Sequence, residues 1–359
     1  MQEQLFSRRK SRVVSIGDVK IGGDNPISVQ SMTNTPTAEA AATLAQIEGL
    51  AACGCQIARL AVPDEEAAAA LPRIVAQSPL PIVADIHFDY RLGLLAVQAG
   101  VQALRINPGN IGGQNKVRQV AQAAKAAGIP IRVGVNAGSL DKHFLEKYGH
   151  SAQALAESAL YHTDLLEKEG FSDIKISVKA SDLRLMVEAY GFLAERVDYP
   201  FHIGLTEAGT QQRGSIRSAC ALSILLAQGL GDTLRVSLTG DPVTEVWVAK
   251  EILGALKLAP LDFEFISCPT CGRTMIDVER IALSVEKALA GLHPPRPLKI
   301  AVMGCAVNGP GEAKGADVGI AGGNGEGLLF CHGQVIGRYA NQDLAEALIN
   351  KVKEIISEE

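Results

Sequence analysis

The chain has 359 residues, too many for one typical domain and enough for a barrel of roughly 250 residues plus a small second unit. Hydrophobic residues make up 47% and charged ones 20%, the balance of a globular protein, and aromatics at 4% mean that the core is aliphatic. The formal net charge of -5 argues against a general nucleic-acid binder, and no apolar run reaches the roughly 18 residues that a membrane span needs. An Arg-Arg pair stands in "MQEQLFSRRKSRVV", but no apolar segment follows it, so a twin-arginine export signal is rejected and the chain reads as cytoplasmic. Its seven cysteines are therefore expected reduced, and clustered ones point to metal ligation or catalysis rather than disulfides.

In chain order, one unit repeats: a β-rich run, a polar or glycine-rich turn, then an alanine-rich helical stretch. The runs are "PISVQSMT" from Pro26, "QIARLAV" from Gln56, "PIVADIH" from Pro81 and "ALRINPG" from Ala103, then "PIRVGVN" from Pro130, "DIKISVKAS" from Asp173, "FHIGLTEAG" from Phe201 and "TLRVSLTG" from Thr233. Strict β/α alternation predicts a parallel sheet, and eight repeats predict its closure into a (β/α)8 barrel. An open doubly wound sheet is the alternative, but no G-x-G-x-x-G follows the first strand. The longest insert, "AGSLDKHFLEKYGH", follows the fifth strand and is expected at the barrel mouth.

The pattern changes after "DPVTEVWVAKEILGAL". Residues 1–262 are read as the barrel and 263–359 as a small α+β domain, large enough for its own core. This second part holds a strand, "CPTC", the helix "TMIDVERIALSVEKALAGL", the linker "HPPRP", the strand "LKIAVMGC" and a charged terminal helix. "AGGNGEG" lacks the G-x-x-x-x-G-K-[ST] of a phosphate loop and is read as a β-hairpin turn.

Cys268 and Cys271 form a C-x-x-C, and Cys305 follows at a strand end before a Gly/Pro-rich turn. Three chemistries stay open. An iron–sulfur cluster tolerates such uneven spacing; a zinc site is short of a second knuckle, though Cys331-His332 could complete Cys3His; a redox dithiol has no need of Cys305. Glu312, seven residues after Cys305, is a candidate exchangeable oxygen ligand, or simply a solvated loop residue. Cys53, Cys55 and Cys220 are expected to be small core residues.

A barrel's chemistry sits at the C-terminal ends of its strands. Those ends carry Arg59, Asp85, His87, Arg105, Asn107, Arg132, Asn136, Lys179, Glu207 and Arg235. Side chains alternate along a strand, so Arg105 shares a face with Asn107, Arg132 with Asn136, Asp85 with His87, and Ser177 with Lys179. Five strands thus bring a cation to one place. Converging cations need an anion, and Arg forks suit phosphate oxygens, so an anionic, phosphate-bearing substrate is expected. Individually these cations could instead pair with Asp85 or Glu207, or point outward. Asp85 with His87, and Glu207, are acid/base or hydrogen-bonding candidates.

The motifs "VQSMTNT", "RLAVP", "ADIHF", "LRINPGNIG", "RVGVNAGSL", "SVKAS", "GLTEAG" and "VSLTGDP", followed by "FISCPTCGR" and "VMGCAVNGPGEA", resemble the 4-hydroxy-3-methylbut-2-en-1-yl diphosphate synthase family of the bacterial methylerythritol-phosphate isoprenoid pathway. The resemblance runs from about Gln30 past Glu312, in the compact form without the extra domain of plant relatives. It implies a 4Fe-4S cluster held by Cys268, Cys271, Cys305 and, at rest, Glu312. It implies the substrate 2-C-methyl-D-erythritol 2,4-cyclodiphosphate, opened and dehydrated with two electrons from flavodoxin or ferredoxin. Arg59, Arg105, Arg132 and Lys179 would hold the diphosphate, with Asn107, Asn136 and Ser237 as further contacts, and Glu207 would sit at the departing hydroxyl or proton. It also implies a head-to-tail homodimer; charge and the lack of a long apolar run are why no nucleic-acid or membrane partner is expected. Two rivals of other classes are a colourless zinc-stabilised barrel acting on a phosphorylated sugar, and a cluster protein for electron transfer alone, which leaves the barrel cations unexplained.

Overall fold

The computed structural model describes residues 7–107, 109–305, 313 and 315–358. Two compact units divide between Ala259 and Pro260. The first opens with an antiparallel hairpin, β1 (Val14–Ile16) and β2 (Val19–Ile21), in a stretch for which sequence reading assigned no element. Val14, Ile16 and Ile21 are buried against Ile57, Val83 and Ala103, which lie at the beginnings of neighbouring barrel strands. The hairpin therefore seals the N-terminal end of the barrel, so a ligand's way in lies at the other end.

Eight parallel strands follow, as the repeats predict. They are β3 (Ser28–Met32), β4 (Ile57–Ala61), β5 (Ile82–Asp85), β6 (Ala103–Ile106), β7 (Ile131–Asn136), β8 (Ile174–Lys179), β9 (His202–Ile203) and β10 (Thr233–Leu234). Their order around the sheet is β8-β7-β6-β5-β4-β3-β10-β9, and a single bridge from Ile176 to Phe201 joins the two ends. The last two strands are far shorter than "FHIGLTEAG" and "TLRVSLTG" suggest. Side chains replace ladder bonds at this seam. The Tyr190 hydroxyl accepts from Val178 N at 3.1 Å and donates to His202 O at 2.7 Å, and Asp232 Oδ2 accepts from Phe201 N at 2.8 Å.

The helices are α1 (Ala40–Ala52), α2 (Glu65–Gln77), α3 (Tyr90–Gln98), α4 (Gln114–Ala127), α5 (Lys142–Tyr148), α6 (Ala152–Glu167), α7 (Leu183–Ala194), α8 (Gln211–Ala227) and α9 (Pro242–Ala255). Short polar residues start most of them: Asp64, Asp89, Asp141, Ser151, Asp182 and Asp241 each accept a backbone N–H of the first turn. The insert after β7 forms α5. Ile82, Ala84, Leu104, Ile106, Ile131, Val133, Val135, Ile174, Ile176 and Val178 face the helices in one aliphatic core. The residues between them face the barrel axis: apolar Val83 at the hairpin end, and above it the polar Arg105, Arg132, Lys175 and Ser177.

The second unit is a five-stranded sheet in the order β11 (Phe263–Ser267), β12 (Leu298–Met303), β13 (Val318–Ala321), β14 (Glu326–Cys331) and β15 (Gln334–Ala340). The first three run parallel and the last three antiparallel, and the turn "AGGNGEG" joins β13 to β14 as a hairpin. Helices α10 (Val278–Leu289) and α11 (Leu344–Glu358) cover the face that carries Ile300 and Val302. Ala301 and Met303 point the other way, into a smaller cluster with Ala316, Ala321 and Phe330. Among the described residues, no helix is long and apolar enough to cross a membrane.

Candidate active site

Strand alternation brings Arg59, Asp85, Arg105, Arg132 and Lys179 to the barrel axis, and all five are buried. Register fixes their neighbours: Asp85 lies beside Arg105, Arg105 beside Arg132, and Asn136 beside Lys179. Asp85 is the hub. Its Oδ1 accepts from Arg105 Nη1 at 3.0 Å and lies 3.5 Å from His87 Nε2, while its Oδ2 stands 3.6 Å from Arg59 Nε. Burial by itself raises the Asp85 carboxyl, but Arg59, the His87 bond and Arg105 outweigh it and hold it well below the usual carboxylate range. Asp85 is thus a permanent anion near neutral pH. Of the acid/base and hydrogen-bonding parts open to it, the geometry fits a hydrogen-bonding one that holds the cations in place.

The positive charge remains in excess. Burial and the neighbouring guanidinium groups push Arg132 and Lys179 well below their ordinary values. Arg132 has one side-chain partner, the Ser177 hydroxyl at 3.3 Å, and the Nε atoms of Arg105 and Arg132 have none among the described residues. Two glycines make the crowding of cations sterically feasible. A Cβ on Gly134 would stand 2.5 Å from Arg105 Nε, and one on Gly204 would stand 3.0 Å from Lys179 Nζ. Around this group, Asn107 is buried and accepts from Gly109 N at 3.2 Å, while Asn136 and Ser237 are half-buried. His87 is half-exposed, its ring 3.2 Å from Arg105 Nη1. Glu207 is exposed after β9 with a left-handed backbone, φ 53°, a conformation that costs a non-glycine residue about 1 kcal/mol.

Arg235 behaves differently from the other cations. Its Nε and Nη2 are engaged by Glu245 of α9, at 3.2 and 3.1 Å. Sequence reading named Arg235 and missed Glu245, because nothing in a helical Glu announces that it reaches back to a strand.

A deeper polar layer was also missed. Lys175 Nζ, both ring nitrogens of His202, both amide atoms of Gln30, and the Ser28 and Thr233 hydroxyls are buried without a hydrogen-bond partner among the described residues. The signal was available: "DIKISVKAS" alternates Lys175, Ser177 and Lys179 onto one face. Burial, with Arg132 and Arg59 nearby, drives Lys175 well below its ordinary value. The unfolded chain therefore binds a proton that the folded chain has lost, and stability rises with pH from the folded value up to roughly 10.4. Lys175→Met is accordingly expected to raise the melting temperature at pH 7, by an amount that shrinks by pH 9.5. Thermal denaturation at both values checks this, and a lowered melting temperature at pH 7 would mean that the amine is charged and paired.

In the second unit, Cys268, Cys271 and Cys305 line one cleft of about 190 Å³ together with Pro269, Arg273, Thr274, Met303 and Gly304. The ends of β11 and β12 place them there. Gly304 N donates to Cys268 Sγ at 3.1 Å, and Cys271 N donates to the Thr274 hydroxyl at 3.1 Å. Among the described residues, no three His, Cys, Asp or Glu side chains converge tightly enough to hold a single ion. Three thiols around one cleft, one of them accepting a backbone N–H, are a soft donor set of the kind that binds thiolate-ligated groups. Glu312 lies outside the described residues. Cys331 sits elsewhere: it pairs with Val318, and Val318 with Ile300. The end of β12 is three residues further, roughly 10 Å along the strand. The Cys3His completion with Cys331-His332 is therefore not formed. Of the remaining cysteines Cys55 is buried, Cys53 is half-buried against the core, and Cys220, expected inside, is exposed on α8.

Fold and site together define a two-domain barrel protein, with an anion-seeking axis in one domain and a three-thiol cleft in the other. Comparison with known proteins narrows this class. The family model described as the GcpE TIM-barrel domain matches residues 11–250, and that described as the GcpE protein C-terminal domain matches residues 264–354. The chain belongs to the GcpE family. It is 56% identical to a 4-hydroxy-3-methylbut-2-en-1-yl diphosphate synthase (flavodoxin) of Geobacter sulfurreducens, over 98% of this chain and 99% of that one. It is 58% identical to the Maridesulfovibrio salexigens protein of the same name, over 92% of each chain. Among solved structures, 3-dehydroquinate dehydratase from Geobacillus kaustophilus is similar with a TM-score of 0.52 at 10% identity, covering 70% of this chain and 98% of that one. That likeness concerns the barrel fold alone.

Proposed function

We propose that the protein opens and dehydrates 2-C-methyl-D-erythritol 2,4-cyclodiphosphate to 4-hydroxy-3-methylbut-2-en-1-yl diphosphate in non-mevalonate isoprenoid biosynthesis, as an oxidoreductase using flavodoxin or ferredoxin as electron donor. The observation that carries this reading is the excess of buried cations on the barrel axis, in a chain 56% identical to a synthase of that name. Arg59, Arg105, Arg132 and Lys179 bind the diphosphate, with Asn107, Asn136 and Ser237 at its edges. They are already desolvated and fixed, so they stabilise phosphate charge as the ring C–O bond breaks without reorganising at that moment. Asp85 keeps Arg59 and Arg105 aimed, and His87 contributes a hydrogen bond at the rim. Glu207 takes the proton-handling or hydroxyl-positioning role.

Cys268, Cys271 and Cys305 would hold a 4Fe-4S cluster, with Glu312 as the exchangeable fourth ligand. Bound there, the cluster supplies one-electron transfer and Lewis acidity. The proposal includes a cytoplasmic head-to-tail homodimer. Mixed dimers of Cys305→Ala and Arg132→Ala chains should then recover activity that neither variant has by itself.

Anaerobic purification with iron, sulfide and zinc quantified tests the reading. Roughly four irons and four sulfides per chain, followed by turnover of the cyclic diphosphate with reduced flavodoxin, is the expected result. A colourless protein with about one zinc per chain would overturn it in favour of non-redox chemistry on the same scaffold.

A further inference from the structure

We infer that Glu245 is a positioning residue of the barrel site: it orients Arg235 toward the bound diphosphate and pins the turn that carries Ser237. This rests on the diphosphate reading above.

Glu245 lies in the first turn of α9, on the outer ring of the barrel, yet its carboxylate is buried and directed at the strand ends. All its polar capacity is committed to three different segments. Oε1 accepts from Arg235 Nη2 at 3.1 Å and from Leu238 N at 3.0 Å. Oε2 accepts from Arg235 Nε at 3.2 Å and from the Ser31 hydroxyl at 2.9 Å. One carboxylate thus ties α9 to β3, to the end of β10 and to the backbone next to Ser237.

The two-point grip leaves Arg235 Nη1 as the free edge of the guanidinium. That edge faces the Met32 sulfur at 3.7 Å, and the same sulfur lies 2.9 Å from Arg59 Nη2. Arg235 and Arg59 therefore meet across one thioether, and Glu245 supplies the counter-charge that lets them do so. A planar fork held at two of its nitrogens can present the third in only one direction. The Leu238 bond fixes the adjoining turn, so Ser237 and Arg235 are placed by the same group.

The test uses the full-length protein isolated anaerobically and inorganic pyrophosphate as the probe. Glu245→Gln keeps the shape and can still accept from Leu238 N, but it loses the charge and the two-point grip. It is expected to raise the pyrophosphate Kd and the substrate KM by about tenfold or more, with kcat at saturation changed by less than about threefold. Arg235→Gln should do the same. If Glu245 acts through Arg235, the double variant is no weaker than Arg235→Gln alone; losses that multiply would overturn the inference, because independent structural damage multiplies. Unchanged affinity in Glu245→Gln would also overturn it. Should that variant fail to fold, Arg235→Lys replaces it. A single ammonium cannot donate to Glu245 through two nitrogens of a fixed fork, so its Kd must rise at an unchanged melting temperature, and an unaltered Kd sinks the idea. Wild-type protein without affinity for pyrophosphate would overturn the diphosphate reading itself, an outcome distinct from wild-type affinity in Glu245→Gln.

Discussion

Cys305→Ser is expected to abolish turnover, with iron falling below about one atom per chain and the brown colour lost, while pyrophosphate binding by the barrel persists. The three thiols line a single cleft, and Cys305 directly follows the Gly304 whose N–H donates to Cys268 Sγ. A serine hydroxyl at this position is a hard oxygen donor with a far higher pKa than a thiol, so it does not replace a thiolate among soft ligands. The two units have separate cores, one built on Val285, Ile300 and Val352 and the other on the barrel strands, so loss of a ligand in one need not unfold the other. Iron and sulfide analysis, visible spectroscopy and calorimetric titration with pyrophosphate check the three parts separately. Full iron content with undiminished activity would remove Cys305 from the ligand set.

Arg132→Met is expected to lower kcat/KM by about a thousandfold, the scale of one well-placed charge-stabilising donor. The same substitution should leave the melting temperature unchanged or raise it. Arg132 is buried and its charged form is penalised by burial, by Arg59 and by Arg105, with Asp85 a smaller opposing influence. Removing a cation that the apo protein holds at a cost relieves the fold while it empties the site of function, the trade expected of a preorganised binding group. Steady-state kinetics and thermal denaturation of one preparation decide it. A drop in melting temperature together with preserved kcat/KM would recast Arg132 as a structural ion partner.

Much of this architecture is legible from one-dimensional periodicity. Alternation of apolar and polar residues in "ADIH", "LRIN" and "SVK" settles which side chains face the helices and which face the axis, and the placement of eight such runs between helical stretches predicts the barrel. The C-x-x-C and the later Cys305 mark the cleft because strand ends are where loops can wrap a ligand. These are consequences of local backbone geometry, which every few residues of sequence carry in full.

Pairing across the ring is another matter. Sequence order puts Asp85, Arg59 and Arg105 at neighbouring strand ends and leaves open whether they pair or point outward, and only the closed sheet shows Asp85 between the two arginines. Glu245 and Ser31 are 214 positions apart, and the bond between them exists because α9, the last helix of the barrel unit, packs on the first barrel strand. Cys331 reads as a possible ligand until the antiparallel return of β14 carries it to the far end of the sheet from Cys305. Hydrogen bonds and desolvation act over a few ångströms in space. The chain determines which groups are available for them, and the tertiary packing alone decides which groups meet.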